Sequence, residues 1–487
     1  MVFDVVIVGG GPAGLKACST LIKAGIDNVC LLEKKNDVGG RCRTVVESAD
    51  FAHSLPTAQH DSGALRFTNK HALVKSELER LGLESEAMSG PDTFTTGRGS
   101  HAYLSLYEDD LPNGLNTTLK PASENDVAIF EAWRQLGAGG ARHLTDRDGY
   151  DAIHDLSLPE WMNDNSKTHE EQYFIVKQGY QAIFERMRSE MESHIKVNKF
   201  VTKIEKKATT WHVSCMDDDV FAAKRLILAA PPHALFRVEG LGATLKSRLI
   251  MHSVQSFPLL RVFGRWKQPH GIRGHSFHPG PVRQVQEISP TLAMINYCGG
   301  QTAKTWNTKQ LIDRKGAEQF LMQRVKAIYP TLTDPQHIWW HYWHHAVHFW
   351  RLCANRKHMS SCLQQPLGQD ETTVFMCGEA ISEKWHAWVE GALETAITAA
   401  NLVVNHQTIQ YPLRQFQSID GSHLLSVGGA VIDPRLHDWM KYHPGGKEVL
   451  KKYAGKDATS LFLSHTPLHP DYALSMLFRN MVGFIRN

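Results

Sequence analysis

The sequence lacks the signatures that would place it in several large classes at once. Its eight cysteines, at 18, 30, 42, 215, 298, 353, 362 and 377, form no C-x-x-C pair and no zinc-ligand spacing. They read as reduced, mostly buried thiols rather than a disulfide framework. No stretch approaches the roughly 18 apolar residues that a membrane span requires, so none is expected. Charge of one sign is missing too: Lys+Arg 53 against Asp+Glu 50 leaves a net +3, too little to predict nucleic-acid binding. The N-terminus shows no basic region followed by an apolar run and a cleavage site. The C-terminal GFIRN is neither a peroxisomal nor a prenylation signal. A cytoplasmic location is the expectation. Internal repeats and long low-complexity runs are absent.

What is there is globular. The 487 residues are 42% hydrophobic and 21% charged, ordinary for soluble domains and enough chain for two to four of them. Histidine is abundant, at 27, and clusters late in the chain, which hints at metal or haem chemistry. The five histidines at 337, 341, 344, 345 and 348 come without carboxylates or an H-E-x-x-H context, so the spacing argues against a zinc site there.

The first 33 residues carry a nucleotide site. FDVVIV (3–8) is a continuous apolar run, as a strand buried on both faces of a parallel sheet requires. Gly9, Gly11 and Gly14 follow as G-x-G-x-x-G and open a helix that stops at Gly25. A second apolar strand, NVCLLE, ends at Glu33. The first glycine permits a tight turn, the second lets a pyrophosphate approach the backbone, and the third lets helix and strand pack closely. The helix N-terminus faces the phosphates, and Glu33 can accept ribose hydroxyls.

Downstream, Asp37-Val38-Gly39-Gly40-Arg41-Cys42-Arg43-Thr44 resembles the G-G-R-x-x-T segment of the flavin amine oxidase superfamily. The resemblance implies FAD, with Gly40 close to its pyrophosphate and Arg41 facing its charge. VNKFVTKIEK followed by RLILAAPPHAL looks like the superfamily's strand pair, with Val201 beside the adenine. FMCGEAISEKWHAWVEGALETAITAANLV resembles its closing motif, in which Glu379 would bind the ribityl chain and Trp388, Val389 and Gly391 would lie beside the isoalloxazine.

Within that superfamily, DSGALRFTNKHALVKSELERLGL (61–83) is similar to the G-x-M-R-x-P segment of L-amino-acid oxidases, with Leu65 for the methionine and Thr68 for the proline. The resemblance assigns Arg66 to the substrate carboxylate, and a guanidinium fork suits a carboxylate better than any other side chain. HYWHHAVHFWR resembles the loop lining the substrate cavity, with His345, His348 and Trp350 as candidates. KQGYQAIFERM resembles a helix start near the flavin. Family members carry a lysine that holds a water beside the flavin's reactive nitrogen. The matching segment, SFPLLRVFGRWKQ, has Arg261 there. Arginine stays protonated to a pKa above about 12 and cannot serve as a base. Either the match is displaced, Arg261 substitutes, or oxygen reactivity is altered.

After a linker, LLSVGGAVIDPRLHDWMKYHPGGKEVLKKYAGKDATSLF resembles a cytochrome b5 haem domain, with His443 in its H-P-G-G motif. The chemistry calls for two imidazoles on opposite faces of haem b. His469, in HPDYALSML, is preferred over His465 as the second ligand.

These resemblances imply an α/β Rossmann-like FAD domain of amine oxidase type (1–70, 178–240 and 365–405), an inserted α+β substrate domain (71–177 and 241–364), and a small α+β cytochrome b5-like domain (411–487). The implied reaction is FAD-dependent oxidative deamination of L-amino acids to 2-oxo acids, ammonia and hydrogen peroxide. Molecular oxygen is the acceptor, the haem domain a candidate electron carrier, and Arg66, Trp388 and Arg261 the catalytic set. Alternatives are an amine or polyamine oxidase, a flavocytochrome dehydrogenase, and a non-enzymatic redox or interaction module. A homo-oligomer is compatible with all of them.

Overall fold

The computed structural model describes residues 2–47, 58–88, 91–96, 99–101, 172–241, 254–278, 281–350, 360, 363–364, 373–405, 414–416, 418–427, 430–436, 439–443, 446–464 and 481–485. Two units emerge, residues 1–40, 184–255 and 349–487, and residues 41–183 and 256–348.

The first unit is built on a seven-stranded sheet. Strand Val2–Val8 runs parallel to Val29–Leu32 on one side and to Val220–Leu228 on the other. Val5 to Val8 and all of Val29–Leu32 are buried, so both strands are apolar without alternation. Ile195–Lys196 extends one edge. Thr210–Cys215 and Val201–Lys207 extend the other as an antiparallel hairpin, and Val374–Met376 joins Val220–Leu228 in parallel. Helix Pro12–Lys23 starts with proline in its first turn and buries Ala13, Leu15, Ala17, Cys18 and Leu21. The periodicity is that of an amphipathic helix laid on a sheet.

The second unit has its own seven-stranded sheet, in the order His337–Trp350, Val254–Arg265, Leu292–Gly299, Gln284–Ser289, His275–Phe277, Pro91–Thr96, Gly99–His101. Helices Gly300–Ile312 and Arg314–Ile328 cover one face, where Leu260, Val262, Val285, Ala293 and Ile295 pack with Trp306, Leu321 and Val325. Strand alternation puts Arg261, Phe263, Gln284, Gln286 and Met294 on the opposite face.

The C-terminal segment contains a four-stranded sheet, Arg414–Phe416, Met481–Ile485, Ala430–Ile432 and Leu425–Val427, with short helices Trp439–Tyr442, Gly446–Lys452 and Thr459–Ser464. Among the described residues, no helix is long and apolar enough to cross a membrane.

Candidate active site

Two of the three glycines of the first turn, Gly9 and Gly14, are required by their backbone contacts, and Gly11 is not. Gly9 has φ +112°, and its amide donates to Leu32 O at 2.8 Å. A Cβ on Gly14 would stand 1.8 Å from Gly9 O, whereas one on Gly11 would meet nothing within 4 Å. The helix begins at Gly11 with no side chain capping it, so its first N–H groups are not taken by a side-chain cap. Gly40, at φ +58°, brings the second glycine pair against this turn, and a Cβ there would lie 3.3 Å from Gly11 Cα. Glu33 is buried, and its carboxylate accepts from Gly10 N (2.7 Å) and Lys35 N (2.9 Å). That ties the acid to the turn and leaves lone pairs for ribose hydroxyls. An open, glycine-lined turn at a helix N-terminus beside a fixed carboxylate fits a dinucleotide.

Other residues expected at the flavin lie in the same unit. Val201 is buried opposite Cys215. Glu379 is buried in the short helix Glu379–Ile381, and its Oε2 accepts from Ala387 N at 3.0 Å. Ala387 adopts φ +68°, unfavourable for a residue with a Cβ. The carboxylate thus holds the bend that presents half-buried Trp388 and Val389, where helix Val389–Asn405 begins.

Arg41, Arg66, Arg261, His345 and His348 sit in the second unit. Half-buried Arg66 lies with its guanidinium carbon 4.6 Å from the Tyr173 ring centroid. Arg41 donates to Ala346 O (2.8 Å) and to His348 Nδ1 (3.3 Å), so one of its N–H groups grips the His337–Trp350 strand. Arg261 is 7% exposed. It donates to Asp61 O at 3.1 Å and to Gly63 O, and stacks 4.5 Å over Tyr297. Arg261 therefore clamps the Asp61–Gly63 turn.

Several members of this constellation were not picked out from sequence. Asp61 accepts from Thr44 Oγ1 (2.6 Å) and from Tyr180 N (3.0 Å), joining the G-G-R-x-x-T segment to K-Q-G-Y. Burial pushes its carboxyl up to about 6, opposed by those hydrogen bonds and by Arg261. Gly179, at φ +84°, admits Thr44 Oγ1, which a Cβ would meet at 2.4 Å. His60 Nε2 and His341 Nε2 are 2.8 Å apart, and His60 stacks on Phe263 at 4.1 Å. Burial, with the charge of His341 and Arg261, holds His60 down to about 3. The D-x-G and K-Q-G-Y spellings are the signal that could have paired these segments. Nothing local announces the His60–His341 pair. His345 hydrogen-bonds Ser256 at 2.6 Å, and Trp343 Nε1 donates to Ser62 O at 2.7 Å. The side chain of Trp350 lies outside the described residues.

Breaking the clamp has a defined cost. Arg261→Met should leave Gly63 O without its guanidinium donor and lower stability by about 2–3 kcal/mol, as for hydrogen bonds to charged groups. Arg261→Lys, a point charge without the fork, should recover less than half. Urea melts of the two variants check this.

In the C-terminal segment, His443 follows helix Trp439–Tyr442, donates its amide to Trp439 O (2.9 Å) and sets its ring edge-on to Trp439 at 5.4 Å. Gly446, at φ +76°, turns the chain into the next helix. A half-buried imidazole between two short helices is a side chain that could hold a haem iron. His469 and His465 lie outside the described residues.

Turn, closing helix and inserted sheet together define a flavin-dependent oxidoreductase of two-unit architecture with a small C-terminal domain. The chain belongs to the flavin containing amine oxidoreductase family, whose model matches residues 155–404. An NAD(P)-binding Rossmann-like domain matches 7–76, and a cytochrome b5-like heme/steroid binding domain matches 413–486. The cofactor of the amine oxidase body is FAD.

Among similar proteins, tryptophan 2-monooxygenase of Allorhizobium ampelinum is 35% identical over 131 residues, 27% of this chain and 16% of the relative. NADH oxidase of Thermoanaerobacter brockii is 30% identical over 132 residues, 27% of this chain and 18% of the relative. These matches span less than a fifth of either relative's length. A putrescine oxidase structure aligns with TM-score 0.63 at 18% identity, covering 83% of this chain and 99% of that one. Cyclohexylamine oxidase from Brevibacterium oxydans aligns with TM-score 0.64 at 18% identity and the same coverage. At such identity these two speak for the fold.

Proposed function

We propose that the protein oxidatively deaminates L-amino acids to 2-oxo acids and ammonia, with hydrogen peroxide as the reduced product of oxygen. The carrying observation is Arg66, a half-buried guanidinium in the second unit, braced on the Tyr173 ring and close enough to His275 to lower its proton affinity. A cation so placed suits a substrate carboxylate and would repel a diamine. The similarity to an enzyme named for tryptophan supports an amino acid as substrate.

In this reading residues 1–70, 178–240 and 365–405 hold FAD, through Gly9, Gly11, Gly14, Glu33, Gly40, Arg41, Val201, Glu379 and Val389. Residues 71–177 and 241–364 bind substrate, and 411–487 form the haem domain. FAD, when bound, supplies the two-electron acceptor for the substrate's α C–H bond. Arg66 fixes the carboxylate, which orients that bond and restricts its freedom. Trp388 offers an aromatic wall for the amine. Asp61 and Arg261 hold the turn between Arg43 and Arg66, so they act on position rather than on protons. The imine product hydrolyses in water. His443, with His469, would hold haem as a one-electron acceptor beside oxygen.

The test is anaerobic spectroscopy with mixed L-amino acids. Flavin bands should bleach, and a Soret shift following the bleach would make the haem an acceptor. Arg66→Ala should raise KM for amino acids about 100-fold, equivalent to about 3 kcal/mol for a charge-assisted contact. Oxidised flavin in the presence of every amino acid, with bleaching by putrescine or cyclohexylamine, would favour the second reading. The two structural neighbours named for those amines support that alternative.

A further inference from the structure

Two consecutive glycines precede Arg41, and both are left-handed, Gly39 at φ +98° and Gly40 at φ +58°. Such a pair imposes almost no conformation of its own, so the course of the chain beyond it is set by what holds the chain downstream. Thr44 is the side-chain anchor there. Its hydroxyl donates to Asp61 Oδ1 at 2.6 Å and accepts from Gln181 N at 3.2 Å, while its own amide donates to Gln181 Oε1 at 3.0 Å. The exchange with Gln181 is that of a capping box, made between segments 137 positions apart at the start of helix Gln181–Glu190. Tyr180 N, the amide before it, donates to Asp61 Oδ1 at 3.0 Å. Backbone pairing carries this anchor back towards the glycines. Thr44 lies opposite Asp61, Ser62 N donates to Arg43 O at 2.9 Å, and Ala64 N donates to Arg41 O at 3.0 Å. A Cβ on Gly63 would stand 1.8 Å from Arg41 O, so only glycine permits the approach. Thr44 thus acts on Arg41 over three residues, roughly 10 Å of extended chain.

We propose that Thr44 is a positioning residue of the flavin site, whose hydroxyl fixes the Arg41–Thr44 segment and thereby the retention of FAD. This rests on the reading that Gly40 and Arg41 meet the cofactor, and deepens it by naming what holds them. The residue type follows from the bonding. An ionised carboxylate only accepts, so the single hydroxyl proton goes to Asp61 and the oxygen's lone pairs are left for the Gln181 amide. Serine can make both bonds, and valine, which has the shape of threonine, can make neither. Valine would leave buried Asp61 one donor short and the Gln181 amide without its acceptor, an arrangement that costs more than the bonds themselves. Because the glycines upstream are permissive, the strain is relieved by movement of the segment that carries Arg41. Gly179 offers a second, independent way to displace Thr44. It has φ +84°, and a Cβ on it would collide with both Oγ1 and Cγ2 of Thr44. Gly25 has the same φ, +84°, with nothing within 4 Å of its Cβ position.

The experiment follows release of FAD from the full-length holoenzyme, as the rise of flavin fluorescence after dilution. Thr44→Val should release FAD about 10- to 100-fold faster than the wild type, and Thr44→Ser should stay within about three-fold of it. Gly179→Ala should release FAD at least about ten-fold faster than Gly25→Ala. Both alanines carry the same left-handed strain, so a loss of stability alone does not separate them. A folded Thr44→Val that purifies without flavin is the same result at its limit. Should Thr44→Val not fold, the comparison of Gly179→Ala with Gly25→Ala decides. Release from Thr44→Val at the wild-type rate, no rescue by serine, or equal release from the two alanine variants would overturn the role of Thr44. Arg41→Met tests the reading beneath it. Wild-type release from Arg41→Met means that Arg41 does not hold the cofactor, and the role of Thr44 falls with it. Faster release from Arg41→Met with wild-type release from Thr44→Val keeps Arg41 at the flavin and removes the role of Thr44 alone.

Discussion

Lowering the pH from 7 to 5 should remove most of the stability of the second unit, residues 41–183 and 256–348, with net uptake of several protons on unfolding. Five of its histidines are held neutral by burial: His60, His71 and His275 down to about 3, and His278 and His341 down to about 4. In the unfolded chain each titrates near the ordinary 6.5. Above that pH both states are neutral and nothing is gained or lost. Below it the unfolded state binds protons that the native state refuses, so stability falls as pH falls until the native pKa values are reached. At pH 5 the cost is about 2 kcal/mol per ring, and five rings together rival the whole stability of a typical domain. His60 and His341 share a hydrogen bond, so their contributions are coupled rather than additive. Asp61 runs the other way. Its native pKa of about 6 lies above the ordinary 3.8, so between those values the native state binds the extra proton and gains, by one group against five. Urea melts followed by tryptophan fluorescence at half-unit pH steps should show the midpoint dropping most steeply from pH 6 to 5. A flat profile to pH 4 would mean that the rings are hydrated in solution.

Gly14→Ala is expected to cost more than about 3 kcal/mol and to yield protein without FAD. The added methyl carbon would sit 1.8 Å from Gly9 O, and neither backbone can yield cheaply. Gly9 N is bonded to Leu32 O, and Ala229 N to Val8 O, so the turn is stitched to strands on both sides. Overpacking a well-filled interior usually costs 1–3 kcal/mol, and here the clash is with backbone. Gly25→Ala is the matched control. Gly25 also has a positive φ, +84°, but no atom lies within 4 Å of its Cβ position. It should lose only the roughly 1–2 kcal/mol of left-handed strain and keep its flavin. Flavin absorbance per mole of protein separates the two. Equal flavin content in both variants would show that the turn can open to admit a methyl group.

Much of the fold could be read from neighbours in the chain, because the requirements are local. A strand buried on both faces must be an apolar run, as Val5 to Val8 are. A turn that meets a dinucleotide must be glycine at fixed offsets, as Gly9, Gly11 and Gly14 are. The same holds for the H-P-G-G around His443, where a left-handed glycine follows the histidine. Motif order therefore determined the family, the FAD cofactor and the small C-terminal domain.

Partners far apart in sequence were decided only by the tertiary structure. Nothing near Arg261 in the chain announces that its guanidinium donates to the Asp61 and Gly63 carbonyls, about 200 residues earlier. One N–H group of Arg41 is taken by Ala346 O, 305 positions on. Asp61 joins Thr44 to Tyr180, and His60 finds His341. Gln284 and Gln286 look like ordinary polar strand residues, yet both are buried in the assembled unit. Which face of a strand is covered depends on helices that follow it in the chain. Pattern along the chain thus fixes what each segment becomes, while the burial and partnering of a polar side chain belong to the assembled sheet.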